Sequence, residues 1–338
     1  MQVDQTLYRA FEVSERVEGA KSVFAGRLVQ KPMAELPAGD VLIQLAFSSL
    51  NYKDALSANG NRGVTRSYPH VPGIDASGTV VHSADPRWKT GDAVIVTGHD
   101  LGMNSAGGFA EYIQVPADWV VSLPRQMTLL QSMALGTAGL TAALCVDKLL
   151  QNGLAPDQGD VLVTGATGGV GSIAVALLGK LGFDVTACTG KLQERDYLQA
   201  IGARQVISRE EVMNGGAKPL LNARWAGAID VAGGGMLSAI VRSLLYSGSV
   251  ASCGLVSAPE FSASIYPFIL RGVNLLGVDS VNISHAKRCD IWQSLACEWQ
   301  VPHLEKIAKI ITFNELEAEL DAILEGRGKG RRILDVCA

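Results

Sequence analysis

Residues 161–172 read VLVTGATGGVGS, and this stretch limits the possible folds more than any other in the chain. The first residues are apolar and mostly β-branched, the pattern of a strand buried on both faces. Glycines follow at 165, 168 and 171, and residues 173–182 read as a helix lined with small side chains and stopped by glycine. Such a strand–loop–helix junction aims backbone N–H groups and the positive end of a helix dipole at one point, which suits a pyrophosphate. A Cβ at these glycines would block the tight turn or the approach of phosphate. The spacing departs from G-x-G-x-x-G, so an ordinary turn between strand and helix is the competing reading. The helix after it and the second strand beyond it favour a dinucleotide loop. Thr167, Gly168, Gly169 and Val170 are its candidate cofactor contacts.

The second strand bears on which dinucleotide. Residues 183–188 lead into Thr189, Gly190 and Lys191. A site built for NAD usually places Asp or Glu here, to hold the ribose 2′-hydroxyl. No acid stands at this strand end. A hydroxyl, a flexible glycine and a cation suit a 2′-phosphate instead, which wants donors and positive charge. Arg195 and Arg209 are further cations within reach in sequence, and the competing reading of Lys191 is a solvated lysine. The expected cofactor is NADP(H).

Other classes are disfavoured by composition. Hydrophobic residues make up 48% of the 338, enough for large cores. The net charge of −4, with no basic stripe, argues against nucleic acid as a partner. Met1 to Gln5 carry neither a basic nor an apolar signal region, and no uninterrupted apolar run reads as long enough to span a bilayer. The six cysteines include no C-x-x-C pair, and buried free thiols in a reducing compartment are expected.

Taken in order, the chain is strand-rich to about Pro124, with strands expected at 41–47, 78–81, 92–96 and 110–115 between Gly, Pro and Asp turns. Thr128 with Gln131 makes a capping box ahead of a long helical stretch of small residues. From 160 onward strands alternate with helices, at 161–166, 185–189, 226–232, 249–255 and 275–278. This predicts a doubly wound parallel sheet. A helix at 315–324 and a strand at 332–336 complete the chain.

Several stretches together are more specific than any one motif: SSLNYKDAL at 48–56, PGIDASGTV at 72–80, GTAGLTA at 136–142, WAGAID at 225–230, PFILRGV at 267–273 and GVDS at 277–280. With them the chain resembles the medium-chain dehydrogenase/reductase superfamily, in its zinc-independent quinone oxidoreductase branch, and there the bacterial acrylyl-CoA reductase (NADPH) group. The resemblance covers essentially the whole chain. It implies an α/β protein with a GroES-like β-rich catalytic domain at 1–126, a return segment at 301–338, and a Rossmann domain at 127–300. It implies a cytoplasmic NADPH-dependent enzyme that reduces an activated carbon–carbon double bond, acryloyl-CoA to propanoyl-CoA being the group's hallmark. Its partners would be a small-molecule substrate, an enoyl-CoA or a quinone, with no nucleic acid or membrane, and homodimers are common in the group. Two alternatives stay open: an NADPH:quinone oxidoreductase using the same site on quinones or small enals, and a non-catalytic nucleotide-binding protein.

Zinc-dependent members of the superfamily carry a His-Glu pair where this chain has Gly73, Ile74 and Asp75, a ligand cysteine where Asn51 stands, and a four-cysteine lobe with no counterpart here. The five histidines show no ligand spacing, so no metal is expected. Hydride reaching the β-carbon then leaves charge on the carbonyl oxygen, to be met by fixed donors, and a proton must reach the α-carbon. Tyr52 is the first candidate to meet the nicotinamide end and the substrate, and Asn51 the second; the competing reading of Tyr52 is a packing aromatic. Asp54 reads as a cap or a buried acceptor rather than a base. By resemblance, Leu255, Ile269 and Ser280 line the nicotinamide half, against core packing for the first two. Thr141 lies near the pyrophosphate, and Arg331 pairs with phosphate or is solvated. Arg62 and Arg66 are candidates, on charge alone, for the phosphates of an acyl-CoA.

Overall fold

The computed structural model describes residues 6–19, 21–216 and 218–338; Met1 to Gln5, read above for a targeting signal, lie outside them. Contacts divide the chain into two compact units. One runs up to Thr137 and adds Val281–Ala296 and everything from Ala308; the other takes Ala138–Ser280 and Cys297–Ile307.

The chain opens with two long antiparallel strands, β1 (Leu7–Glu18) and β2 (Lys21–Pro32). Then come β3 (Val41–Ser49), helix α1 (Tyr52–Ala58), β4 (Asp75–Ser83), β5 (Ala93–Thr97), β6 (Tyr112–Val115) and β7 (Val120–Ser122). Helix α2 (Leu129–Gln151) begins with the expected capping box, in which Thr128 N donates to Gln131 Oε1 at 2.9 Å and Gln131 N to Thr128 Oγ1 at 3.1 Å. It bends at Gly136, whose φ is 53°. Against expectation, α2 is long and apolar enough to cross a bilayer, but 78% of its apolar window is buried inside the protein. A core helix of small residues gives the same signal as a membrane span.

The second unit follows with β8 (Val161–Val163), α3 (Gly169–Lys180), β9 (Val185–Cys188), α4 (Arg195–Ala200), β10 (Gln205–Ile207), α5 (Arg209–Met213), β11 (Trp225–Asp230), α6 (Gly234–Ser243), β12 (Leu244–Ser252), α7 (Tyr266–Arg271) and β13 (Asn274–Gly277). The chain ends with α8 (His285–Ala296), α9 (Leu304–Ile307), β14 (Ala308–Ile311), α10 (Phe313–Leu324) and β15 (Arg331–Asp335).

The sheet of the second unit is parallel throughout, in the order β10-β9-β8-β11-β12-β13. Starting at β8, the chain winds outward to one side, returns, and winds outward to the other. Its loops at the carboxyl ends of β8 and β11 flank the point of reversal, the place where such sheets take ligands. The first unit carries a second sheet, β14-β15-β3-β4-β5-β7, with β6 paired to β3. Its core includes Val41, Ile43, Val80, Phe109 and Leu334, all at most 1% exposed. This is the expected pairing of a β-rich domain with a Rossmann sheet.

The units divide the chain differently from the expected boundaries at α8, at α9, which falls in the second unit, and at the start of α2, which falls in the first. The sequence places α8 in the Rossmann half. The structure packs it in the first unit, because buried Arg288 donates to the carbonyl of Thr97 at 2.9 Å. The six cysteines are free, but only Cys145 and Cys188 are fully buried, fewer than expected.

Candidate functional site

The candidate residues fall into two groups, one in each unit. In the second, β8 ends at Val163 and the chain turns through a bond from Gly168 N to Gly165 O at 2.9 Å. Helix α3 starts on Gly168, which offers its first turn no side-chain cap. The leading N–H groups of a helix have no partner within it, so Gly169 and Val170 are placed to meet an anion. Gly171 is fixed by packing: a Cβ there would stand 2.3 Å from the carbonyl oxygen of Gly165. The turn and the helix touch too closely for any side chain.

Residues from the next two strand ends meet this loop. Thr167 Oγ1 lies 3.3 Å from Thr189 Oγ1, and Thr189 Oγ1 accepts from Lys191 N at 3.0 Å. Arg209 opens α5 just after β10. Its guanidinium lies against Gly190, so close that a Cβ there would come within 2.9 Å of Arg209 Cζ. Thr167, Thr189, Gly190, Lys191 and Arg209 thus converge from three neighbouring strands. Two hydroxyls, the Lys191 backbone and the Arg209 guanidinium in one corner, with no carboxylate among these residues, are a chemical match for a phosphate on the ribose.

Across the point of reversal, Thr164 Oγ1 donates to Asp230 Oδ1 at 2.7 Å, and Asp230 Oδ2 accepts from Gly233 N at 2.9 Å. Burial pushes the Asp230 carboxyl above the usual range, against these hydrogen bonds. A cavity of about 410 Å³ opens beyond it, lined by Gly233, Gly234, Ser252, Gly254, Leu255 and Phe261 among others. The sequence pointed only to Leu255 here. The glycine run 233–235 directly after a buried strand was the available signal for the rest. Leu255 and Ile269 are 60% and 66% exposed, so core packing does not explain either. Thr141 Oγ1 donates to Ser280 Oγ at 3.0 Å, so these two expected residues sit together.

In the first unit, Tyr52 is the first residue of α1 and 40% exposed. Behind it lies a buried polar cluster. Asp54 Oδ1 accepts from Ile74 N at 2.8 Å, and Asp54 Oδ2 from Asn51 N at 2.8 Å. This is the buried acceptor that the sequence suggests. Burial, and then the neighbouring Asp75 charge, raise the Asp54 carboxyl to about 7.

Three expectations need correction or narrowing. Arg331 is 3% exposed, and its guanidinium donates to Leu50 O at 2.8 Å, Asn51 Oδ1 at 3.1 Å and Ser49 Oγ at 2.7 Å. It is neither solvated nor presented to a cofactor phosphate, because these buried acceptors already occupy its donors. The Asn51 amide is also committed, accepting from Arg331 and donating to Asp75 Oδ2 at 2.8 Å. It does not aim a donor at substrate, contrary to the catalytic role expected of it. Arg62 is held by Glu15 at 2.6 Å and lies over the rings of Phe24 and Tyr68, which leaves Arg66 as the more open of that pair.

Comparison with known proteins matches both halves. Residues 37–125 match the alcohol dehydrogenase GroES-like domain, and residues 169–295 the zinc-binding dehydrogenase domain. The chain is 47% identical over 301 residues to the putative quinone oxidoreductase YhfP of Bacillus subtilis, covering 89% of this chain and 91% of that protein. It is 42% identical over 332 residues to the acrylyl-CoA reductase AcuI of Ruegeria pomeroyi, covering 98% of this chain and 100% of that protein.

The chain belongs to the medium-chain dehydrogenase/reductase superfamily.

Solved structures of this superfamily agree. The yhdH oxidoreductase of Salmonella enterica, in complex with NADP, superposes with a TM-score of 0.92 at 40% identity, covering 97% of this chain and 99% of that one. Bacillus subtilis yhfP, with NAD bound, superposes with a TM-score of 0.94 at 43% identity, covering 98% of this chain and 100% of that one. As a superfamily member the chain departs from the zinc pattern at 51 and 73–75, where an amide, a glycine, an isoleucine and a hydrogen-bonded carboxylate stand. Among the described residues, no three of His, Cys, Asp or Glu are grouped to hold a metal ion.

Proposed function

We propose that this protein is an NADPH-dependent reductase of activated carbon–carbon double bonds, with acryloyl-CoA as substrate and propanoyl-CoA as product. The observation that carries the reading is the match over nearly the whole chain, at 42% identity, to an acrylyl-CoA reductase. The corner formed by Thr167, Thr189, Lys191 and Arg209 supports the choice of cofactor. When bound, NADPH supplies the hydride that adds to the β-carbon.

The residues divide the remaining work. Gly169 and Val170 present N–H groups to the pyrophosphate, Gly168 setting the turn ahead of them, and Thr189, Gly190, Lys191 and Arg209 hold the 2′-phosphate. Leu255, Ile269 and Ser280 take the nicotinamide side. Tyr52 contacts the reacting end and donates to the substrate carbonyl oxygen, where negative charge builds as the double bond is reduced. The free cysteines fit a reducing, cytoplasmic setting.

A homodimer is part of the proposal. β13 ends its sheet with one edge unpaired among the described strands. Near it in sequence stand exposed Ile265, Leu270 and Leu275. An open edge beside exposed apolar side chains is suited to pairing with a second copy through a two-fold axis.

A second reading, reduction of quinones, is favoured by the 47% identity to a putative quinone oxidoreductase. One panel separates the two: NADPH oxidation with acryloyl-CoA, crotonyl-CoA, a benzoquinone and no acceptor. The proposal expects the highest kcat/KM with acryloyl-CoA. A preference for the benzoquinone moves the assignment to the second reading, and no turnover with any acceptor points to a binding protein.

A further inference from the structure

We infer that Asp75 is the positioning residue of this site: through Asn51 it fixes the first turn of α1, and with it the direction in which Tyr52 is presented. The inference deepens the proposed function and rests on it for the role of Tyr52. The geometry of the cluster carries it.

Asp75 begins β4 and is fully buried. Its Oδ2 accepts from Ser49 Oγ at 2.6 Å, Asn51 Nδ2 at 2.8 Å and Thr137 N at 2.9 Å, and its Oδ1 from Thr137 Oγ1 at 2.5 Å. Arg331 Nη2 stands 3.6 Å away and supplies the counter-charge. One carboxylate therefore gathers the end of β3, the cap of α1, the bend in α2 and the start of β15. A buried charge without such partners would be strongly disfavoured, so the partners and the carboxylate fix one another.

The Asn51 amide is gripped at both ends, its oxygen by Arg331 and its nitrogen by Asp75. Turning it over would set its NH2 against the guanidinium and its oxygen against the carboxylate, so only one orientation survives. Asn51 N donates to Asp54 Oδ2 at 2.8 Å, while Asp54 Oδ1 takes the N–H groups of Gly73 and Ile74 immediately before Asp75. The first turn of α1 is thus tied to β4 through both its backbone and its cap side chain. Tyr52 follows directly, with its ring exposed and its backbone held. The fit leaves no slack, since a Cβ at Gly136 would lie 2.4 Å from Asp75 Oδ2 and 2.6 Å from Arg331 Nη2.

The test is a double-mutant cycle between Asp75→Asn and Asn51→Ala. Its readouts are kcat and KM for the best acceptor and NADPH affinity by fluorescence titration. Positioning through Asn51 predicts that Asp75→Asn lowers kcat by about tenfold or more, leaves NADPH affinity within about twofold, and adds little once Asn51 is already Ala. A full additive loss in the Asn51→Ala background, or a change confined to KM and NADPH affinity, overturns it. Should Asp75→Asn not fold, Thr137→Val removes one hydroxyl bond to the same carboxylate and keeps its charge. It is expected to lower kcat several-fold and to lose that effect beside Asn51→Ala; an unchanged kcat counts against the inference. Hydrogen exchange at the amides of residues 52–55 in the cofactor-free protein gives a second readout, expected to quicken in Thr137→Val. If wild type turns over no acceptor, the functional reading fails, whereas faster exchange would still show the anchoring.

Discussion

At the scale of single residues, the cofactor corner gives a sharp test. Replacing Arg209 by Ala is expected to weaken NADPH binding by about ten- to a hundredfold, the worth of a hydrogen bond to a charged group, about 1.5–3 kcal/mol. NADH binding should not change, and fluorescence titration with both nucleotides checks this. Gly190→Ala should behave alike, because the new Cβ meets only the far end of Arg209; the protein folds while the guanidinium is displaced. Asp54 provides a pH test. Its carboxyl is raised to about 7 in the fold, chiefly by burial, whereas the unfolded chain loses that proton near the ordinary Asp value. Across the window between, the folded state holds a proton that the unfolded state has released, so this contribution to stability falls as pH rises. The melting temperature of the wild type relative to Asp54→Asn should therefore drop from pH 4 to pH 7. A flat difference contradicts it. The residues that sequence alone reads correctly here are those with a local part to their role, such as Asp54, which accepts from Asn51 N three residues before it. Arg331 is misread because, beside Gly330 and Arg332, it looks like a surface cation. Its burial depends on Ser49, Leu50 and Asp75, far along the chain.

At the scale of elements, what can be read from sequence depends on how much of an element's stability is local. β8 and α3 are legible because a β-branched run, a glycine loop and a small-residue helix each state their own conformation. The hairpin of β1 and β2 is not. Its second strand is exposed or half-buried along its length, so it lacks the alternation that marks a strand. β10 is three residues long, like β8, but no glycine loop follows it to mark its end. The bend in α2 leads to a prediction about stability. Gly136→Ala would force a Cβ at positive φ into the Asp75 cluster. Overpacking of this kind costs about 1–3 kcal/mol, and the backbone strain adds to it. A melting temperature lower by several degrees is expected in calorimetry, and an unchanged one would contradict the placement of that bend. On β13, Leu275→Lys adds a charge at the open edge. It should shift the protein from dimer to monomer in light scattering, and a monomeric wild type would remove the proposed interface.

At the scale of the whole molecule, the fold follows from two sheets of different construction. One is antiparallel apart from β14 with β15 and carries Tyr52 on a short helix; the other is parallel and places its candidate loops at the carboxyl ends of its strands. The joint pattern along the chain made the superfamily legible, since its motifs lie in both sheets. The substrate is less legible, because a pocket is shaped by side chains brought from distant positions and a fold does not fix what enters it. The claim on which the account rests is therefore chemical. The direct measurement is the product formed from acryloyl-CoA, followed by mass spectrometry with NADPH and, separately, with NADH at the same concentration. The account predicts propanoyl-CoA, formed much faster with NADPH. Unchanged acryloyl-CoA with both, or faster formation with NADH, would contradict it.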